Sequence, residues 1–503
     1  MAEESGPQAA GDGGAALDRR RFLHLTAAGG LAGTAVVLEP LRFAHAQEQE
    51  EETRVGSGRF EPGAPDWAYL PVTVPAGVRE LAVVYRYDRP APPPGVAGNA
   101  LDIGIFDESG FQLGNQRGFR GWSGGFRDRF TISRSAATPG YVPGPIRPGT
   151  WHVILGPYTV APQGMQWTVE VTLRYGEPGE PFVPTPAPPR ASGRGRAWYR
   201  GDMHLHTVHS DGARLPEEVA AGAHAAKLDF IVSTEHNTPT AGGIWGLHAG
   251  PDLLIASGNE VTTRNGHYLA LFLPPEQWVD WRYRAVDGAI DRFVREIHRA
   301  GGLAVAAHPF CPFVGCAWKF GYRDFDAVEV WNGPWTPDDE AAVALWDSLL
   351  VADPRGSWLP AVGNSDAHRE PQVIGLPQNV VLAADLERHA ILEGVRMGRL
   401  WVAESAAVEL AFTASAGGGS AGIGERLRVR PDEQVTVDLE VHGAPGSAAR
   451  LVTDQGQVLL MPLPADGKVR WTTTPQVSPY VRAEVRRPDN TMVALTNPVF
   501  LGH

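Results

Sequence analysis

Cysteine is nearly missing from this chain: Cys311 and Cys316 are its only two. Two cysteines close one loop at most, so a fold stapled by many disulfides is excluded. An excess of positive charge is missing too. The formal net charge of −13 at pH 7 excludes a dedicated nucleic-acid binder, whose surface would be basic. It does not exclude a small anionic substrate, because bound cations supply local positive charge. No internal repeat occurs, and no apolar run is long enough to span a membrane. Glycine (59) and proline (43) are abundant, as β-rich domains with many turns require. Apolar residues make up 43% of 503 residues, enough for several cores in about three domains.

The chain opens on a targeting pattern. Arg19-Arg20-Arg21-Phe22-Leu23 fits a twin-arginine signal, a weakly apolar run follows from Leu25 to Leu38, and Ala44-His45-Ala46 offers a small-x-small cleavage site. The expectation is a signal over 1–46, recognised by the twin-arginine export machinery and removed. The mature protein is then periplasmic or secreted, with no stable membrane insertion. Residues 47–57 read as a flexible acidic segment. Short strands with Gly/Pro turns over 58–180 predict an N-terminal β-sandwich. A stiff proline-rich linker covers 181–196. Over 197–405, apolar strands alternate with helices at Pro216–Lys227, Ala289–Ala300 and Asp338–Leu350, which predicts βα units, parallel pairing and helical cover. Residues 406–503 alternate again and predict a C-terminal β-sandwich.

The chemistry concentrates in the middle region. In Gly201-Asp202-Met203-His204-Leu205-His206-Thr207-Val208-His209-Ser210-Asp211-Gly212, His204 and His206 share one strand face. Two imidazoles converging at a strand end make half of a divalent-metal site. Asp211 follows in a loop that can fold back. Further strands end at Glu235-His236, Glu260, His308 and Asp366-Ala367-His368, and another opens at Gly266-His267. Strand ends are where α/β barrels carry chemistry. Cys311 and Cys316 lie just past His308, and a loop disulfide, two free thiols and thiolate ligation are all open to them.

The ordered series HxH, SDG, EH, GxE, GH, AHP and SDAH, over roughly 197–405, resembles the PHP (polymerase and histidinol phosphatase) family of metal-dependent hydrolases. The GDMHLHT opening and the framing domains resemble its carbaryl-hydrolase-like (CehA/McbA) branch. The resemblance implies a multidomain α/β plus β architecture: a distorted (β/α)7 PHP barrel flanked by the two β-sandwiches. It implies two or three divalent metal ions, zinc, manganese or iron. His204, His206, Glu260 and Asp366 would hold one, Glu260, His267 and His308 a second, and Asp211, His236 and His368 a third. Glu260, Asp211 and His209 are the candidates for direct parts in catalysis, His209 as a proton donor. Glu235 would orient an imidazole. Lys319, Arg323, Arg369, Trp331 and Asn332 are the candidate contacts to a small-molecule ester.

The implied function is an exported phosphoesterase in which a metal-bound hydroxide attacks phosphorus. The CehA/McbA branch implies instead a carbamate or carboxylic ester hydrolase using the same metals. A non-catalytic, metal-stabilised binding protein is the third reading.

Overall fold

The computed structural model describes residues 50–352 and 358–502. The signal expected at 1–46 lies outside the described residues. The fold is mostly strand with few helices, arranged in several sheets.

The N-terminal part contains two four-stranded antiparallel sheets. One orders Glu51–Phe60, Met165–Tyr175, Val78–Tyr87 and Arg129–Ser133. The other orders Ala68–Val74, Gly149–Thr159, Ala100–Phe106 and Phe119–Gly124. Alternating residues such as Leu81, Val83, Ile103, Trp151 and Val169 form their shared core. Residues 51–57 are therefore strand, not the flexible segment expected. The strand pairs along its whole length with Met165–Tyr175; Glu51 is exposed, while Glu52, half-buried on the opposite face, pairs with Arg54 at 2.8 Å.

The site-bearing sheet has nine strands of its own. They are β1 (Ala197–Leu205), β2 (Phe230–His236), β3 (Leu254–Thr263), β4 (Gly266–Leu273), β5 (Leu303–Ala306), β6 (Ala327–Asn332), β7 (Ala361–Asn364), β8 (Gln378–Ala383) and β9 (Leu400–Ala403). Their order is β7-β6-β5-β4-β3-β2-β1-β8-β9. The pairs β1–β2, β2–β3, β5–β6 and β6–β7 are parallel, as expected. The pairs β3–β4, β4–β5, β1–β8 and β8–β9 are antiparallel, which was not expected. The reason is local at β3–β4: only Arg264-Asn265 joins them, too short for a parallel crossover. Gly266 closes that hairpin at φ 118°, where a Cβ would sit 2.7 Å from Trp318 Cα.

The sheet curls until β7 lies beside β1. Met203 N–H donates to Asn364 Oδ1 (2.9 Å), and His206 N–H donates to Ala367 O (3.3 Å). Helices α1 (Pro216–Ala225), α2 (Ile290–Arg299), α3 (Pro337–Ala352) and α4 (Arg388–Arg396) carry the chain between strands. On α2 the buried stripe is Phe293, Val294 and Ile297, the spacing of a one-faced helix. His298 on α2 pairs with Asp326 at 2.7 Å, and Asp326 also accepts from Ala304 N–H. The Asp326 carboxylate raises the His298 pKa above its ordinary 6.5. A raised histidine pKa stabilises the fold fully below the unfolded value, and the contribution is lost as pH rises through the folded one. The stability lost in His298→Gln, measured by urea denaturation, is therefore expected to be larger in mildly acid than in mildly alkaline buffer.

Residues 181–196 hold no named helix or strand and are pinned to the body of the protein: Thr185 N–H donates to Gly243 O (2.7 Å) and Ala191 N–H to Leu386 O (3.0 Å). The C-terminal strands are not separated from the central sheet. Met492–Thr496 pairs with β9, and Tyr480–Arg486, Ala448–Thr453 and Gly456–Pro462 extend the same sheet. A second sheet, Gly419–Gly422, Glu409–Ala416, Val435–His442 and Lys468–Thr473, covers it. Trp401 and Val380 share a core with Phe412, Leu439 and Val485. Among the described residues no helix is long and apolar enough to cross a membrane.

Candidate metal centre

The centre begins with alternation along β1. Met203 and Leu205 point into apolar layers, while Asp202, His204 and His206 take the other face and are fully buried. Parallel register sets His236 of β2 beside Glu260 of β3. The β3–β4 hairpin sets His267 opposite Thr262, on the same face as Glu260. His308 follows β5, and Asp366 and His368 follow β7. His308 and Asp366 stand at φ 25° and 48°, a region that side chains other than glycine's avoid, so the surrounding bonds must hold them there.

Glu260 is the hub. Its Oε2 lies 3.3 Å from Nε2 of both His204 and His206, and 2.8 Å from His236 Nδ1. Its Oε1 lies 2.7 Å from His267 Nδ1 and 3.1 Å from His308 Nε2. Asp366 Oδ1 lies 3.2 Å from His204 Nε2 and 3.0 Å from His206 Nε2. Asp211 Oδ1 lies 3.3 Å from His236 Nε2 and 3.2 Å from His368 Nε2. All nine residues expected as ligands are thus brought into one cluster, and the disposition of His204, His206, Glu260 and Asp366 matches one expected group.

The imidazoles are held from behind. Glu329, fully buried on β6, faces His204 Nδ1 at 3.1 Å and accepts from Asn364 Nδ2 (2.8 Å), Asn332 Nδ2 (3.1 Å) and His308 N–H (2.9 Å). Glu235 accepts from the Thr207 hydroxyl (2.6 Å) and the Ser210 hydroxyl (2.5 Å), and Ser210 Oγ lies 3.3 Å from His206 Nδ1. Ser210 spends its proton on Glu235 and can accept from His206, which turns Nε2 into the cluster. Glu235 therefore reaches an imidazole through Ser210. Asp202 accepts from Ser365 N–H (3.2 Å) and Gly375 N–H (2.9 Å), tying the Asp366 loop to β1. Burial pushes the Asp202 carboxyl up to about 6 against these bonds.

Sequence reasoning missed Glu329 and Asp202. The signal was present: a glutamate inside Ala327-Val328-Glu329-Val330-Trp331, and an aspartate two residues before His204 on the same face. A charge inside an apolar strand is costly unless paired.

The electrostatics show a site short of positive charge. Burial would raise the Glu260 and Asp366 carboxyls, but the surrounding imidazoles hold both well below the ordinary range. Burial would lower His206, but the Asp366 and Glu260 carboxylates lift it to about 10, and His204 moves the same way. Burial wins at His267, which drops to about 4, and at His236. Nε2 of His204 and His206, Oε2 of Glu260 and Oδ1 of Asp366 are buried without a hydrogen bond among the described residues, despite their close approach. Their donor atoms lie within 4.8 Å of one another. Buried nitrogen and oxygen lone pairs aimed at one point suit a divalent cation, so the residues fit the metal the motifs imply.

The remaining candidates divide. Arg369 reaches the rim, donating through Nη2 to Asp211 O (3.1 Å), with the side chain exposed. Asn332 Nδ2 lies 3.4 Å from Asp366 Oδ2. Trp331 is only 2% exposed and sits in the apolar layer with Val343 and Trp346 of α3, its Nε1 donating to Gly333 O (2.9 Å). An irregularity between Glu329 and Trp331 breaks the alternation, so Asn332 takes the inner face that strict alternation from Glu329 would give to Trp331. Lys319 and Arg323 are exposed in the loop before β6. His209 pairs through Nδ1 with Thr240 Oγ1 (2.9 Å), and burial lowers its pKa. Cys311 and Cys316 form a disulfide.

No family model matches the chain. It is 26% identical to an uncharacterized protein of Methanocaldococcus jannaschii, over 26% of this chain and 81% of that one. Among solved structures, a two-domain protein from Bacteroides vulgatus, described as containing a predicted PHP-like metal-dependent phosphoesterase, is 17% identical with a TM-score of 0.35. The match covers 64% of this chain and all of that one. An amidohydrolase from Chromobacterium violaceum, solved with bound sulfate and no metal, is 19% identical with a TM-score of 0.24, covering 35% of this chain and 89% of that one. At such scores no chemistry is transferred from those proteins to this chain.

Proposed function

We propose that the cluster is a multinuclear divalent-metal centre and that the protein is a hydrolase acting on a phosphoester. The observation that carries this reading is the buried convergence of His204, His206, Glu260 and Asp366 through atoms that have no hydrogen bond among the described residues. These four would hold one cation, and Asp211, His206, His236 and His368 surround a second place. Glu260, His267 and His308 supply the remaining donors. Bound there, divalent cations acidify water and stabilise charge on phosphoryl oxygens. The chain's own contributions are positional. Glu329 and the Glu235–Ser210 pair fix which nitrogen of His204 and His206 faces inward. Asn332 steadies Asp366. Arg369, held at the rim by Asp211 O, leaves guanidinium N–H groups for an anionic substrate oxygen. This cationic rim residue favours a phosphoester over a neutral carbamate.

A distorted seven-stranded barrel of the PHP type is the architecture this reading assigns to β1–β7. Its support is the return of β7 to β1. Export is part of the proposal too. It is supported by the twin-arginine pattern and by the Cys311–Cys316 disulfide, since such bonds persist in oxidising compartments.

The test is turnover by the purified protein on aryl phosphate mono- and diesters beside aryl carbamates and carboxylic esters. Phosphoester turnover that Arg369→Ala weakens chiefly through KM is expected. Turnover of carbamates or carboxylic esters alone would overturn the substrate assignment.

A further inference from the structure

One sulfur adjoins the centre from outside. Cys316 is 8% exposed, and its Sγ lies 3.5 Å from His308 Nδ1. His308 thus presents Nε2 to Glu260 and Nδ1 to sulfur. His267 commits Nδ1 to Glu260, while its Nε2 is buried without a hydrogen bond among the described residues. One ring nitrogen of each histidine and Cys316 Sγ lie within 4.8 Å of one another. A disulfide sulfur is a poor donor. A thiolate is a strong one and shifts selectivity toward softer cations such as zinc.

We infer that reduction of the Cys311–Cys316 bond converts His267, His308 and Cys316 into a thiolate-containing cation site, so that the disulfide decides which ligand set these two histidines serve. This rests on the metal-centre reading of Glu260 and its neighbours. Oxidised, both rings face Glu260 as part of an oxygen-and-nitrogen centre. Reduced, Cys316 competes for a cation from the other side of the same rings. A dithiol reductant balances the step: its two sulfurs join, two electrons and two protons pass to Cys311 and Cys316, and the Cys316 thiol gives its proton to solvent when a cation binds. Access is from the surface, where Phe310 and Val314 are 42% and 51% exposed.

The test uses the full chain loaded with cobalt(II) and read by absorption. Visible bands report binding of the ion whatever its ligands. Sulfur-to-cobalt charge transfer in the near ultraviolet reports a thiolate ligand. A phosphine reductant, which becomes its oxide with oxygen from water, avoids adding foreign thiols. Oxidised wild type is expected to show visible bands alone. Reduced wild type, and Cys311→Ser without reductant, are expected to gain the sulfur band, and Cys316→Ser is expected to lack it under either condition. Reduced wild type gives the same reading should Cys311→Ser fail to fold. Visible bands without a sulfur band in both would overturn the inference and leave the metal centre standing. A sulfur band in reduced Cys316→Ser would overturn the assignment to Cys316. No cobalt uptake by any form would overturn both the inference and the centre.

Discussion

Glu260→Gln is expected to abolish turnover and empty the centre while leaving the fold in place. Glu260 places one oxygen or the other within 3.3 Å of five imidazoles. An amide keeps the shape, removes the charge and aims an NH2 group at nitrogens that must stay free to bind a cation. Removing one partner from a buried charge cluster costs about 3–5 kcal/mol. A loss of that size in cation binding is, at about 1.4 kcal/mol per decade, on the order of 10²–10⁴-fold in affinity. Isothermal titration of metal into the stripped protein measures it, and circular dichroism checks the fold. Wild-type affinity and rate in Glu260→Gln would refute its place as hub.

Glu329→Gln is the second large effect; Glu329 meets His204 at Nδ1, the nitrogen opposite the one beside Glu260 and Asp366. Four donors converge on the Glu329 carboxylate: His204 on Oε1 with Asn364, and His308 N–H on Oε2 with Asn332. A carboxylate accepts all four, whereas glutamine offers one oxygen and turns two N–H donors toward the rest. Each buried donor left unmatched costs about 1–3 kcal/mol. The expected result is a fall in melting temperature together with a roughly 10–100-fold loss in metal affinity or activity, the usual scale for groups behind a ligand. Glu329→Asp keeps the charge and is expected to recover part of the affinity. If Glu329→Gln lowers stability but leaves metal affinity untouched, Glu329 serves the fold alone.

These two residues show what the sequence did and did not disclose. His204 and His206 were legible because strand parity puts them on one face and their neighbours, Met203 and Leu205, are apolar. Apart from Asp211, legible as a loop carboxylate after β1, the other cluster residues were legible as strand-end positions, each needing only its own strand to be recognised. Glu329 was hidden because its role exists only across the sheet: nothing within Ala327–Trp331 says that His204 lies opposite. That Asn332 reaches the cluster while Trp331 is core was hidden for a related reason, since an irregularity in pairing with β7 belongs to two strands at once. The antiparallel β3–β4 turn was legible in Asn265-Gly266, a strong short-range hairpin signal, and the expectation of uniform βα repeats overrode it. The continuation of β9 into Met492–Thr496 could not be read locally, because 95 residues separate partners such as Trp401 and Thr496.

The most direct measurement is the metal content of the purified, unmodified protein by elemental analysis, taken beside turnover before and after chelation. Two or three divalent ions per chain are expected, with activity lost on chelation and restored on reloading. A protein that holds no metal after reloading, or one whose hydrolytic rate is unchanged once stripped, would contradict the central claim that this cluster is a metal centre and the source of the activity.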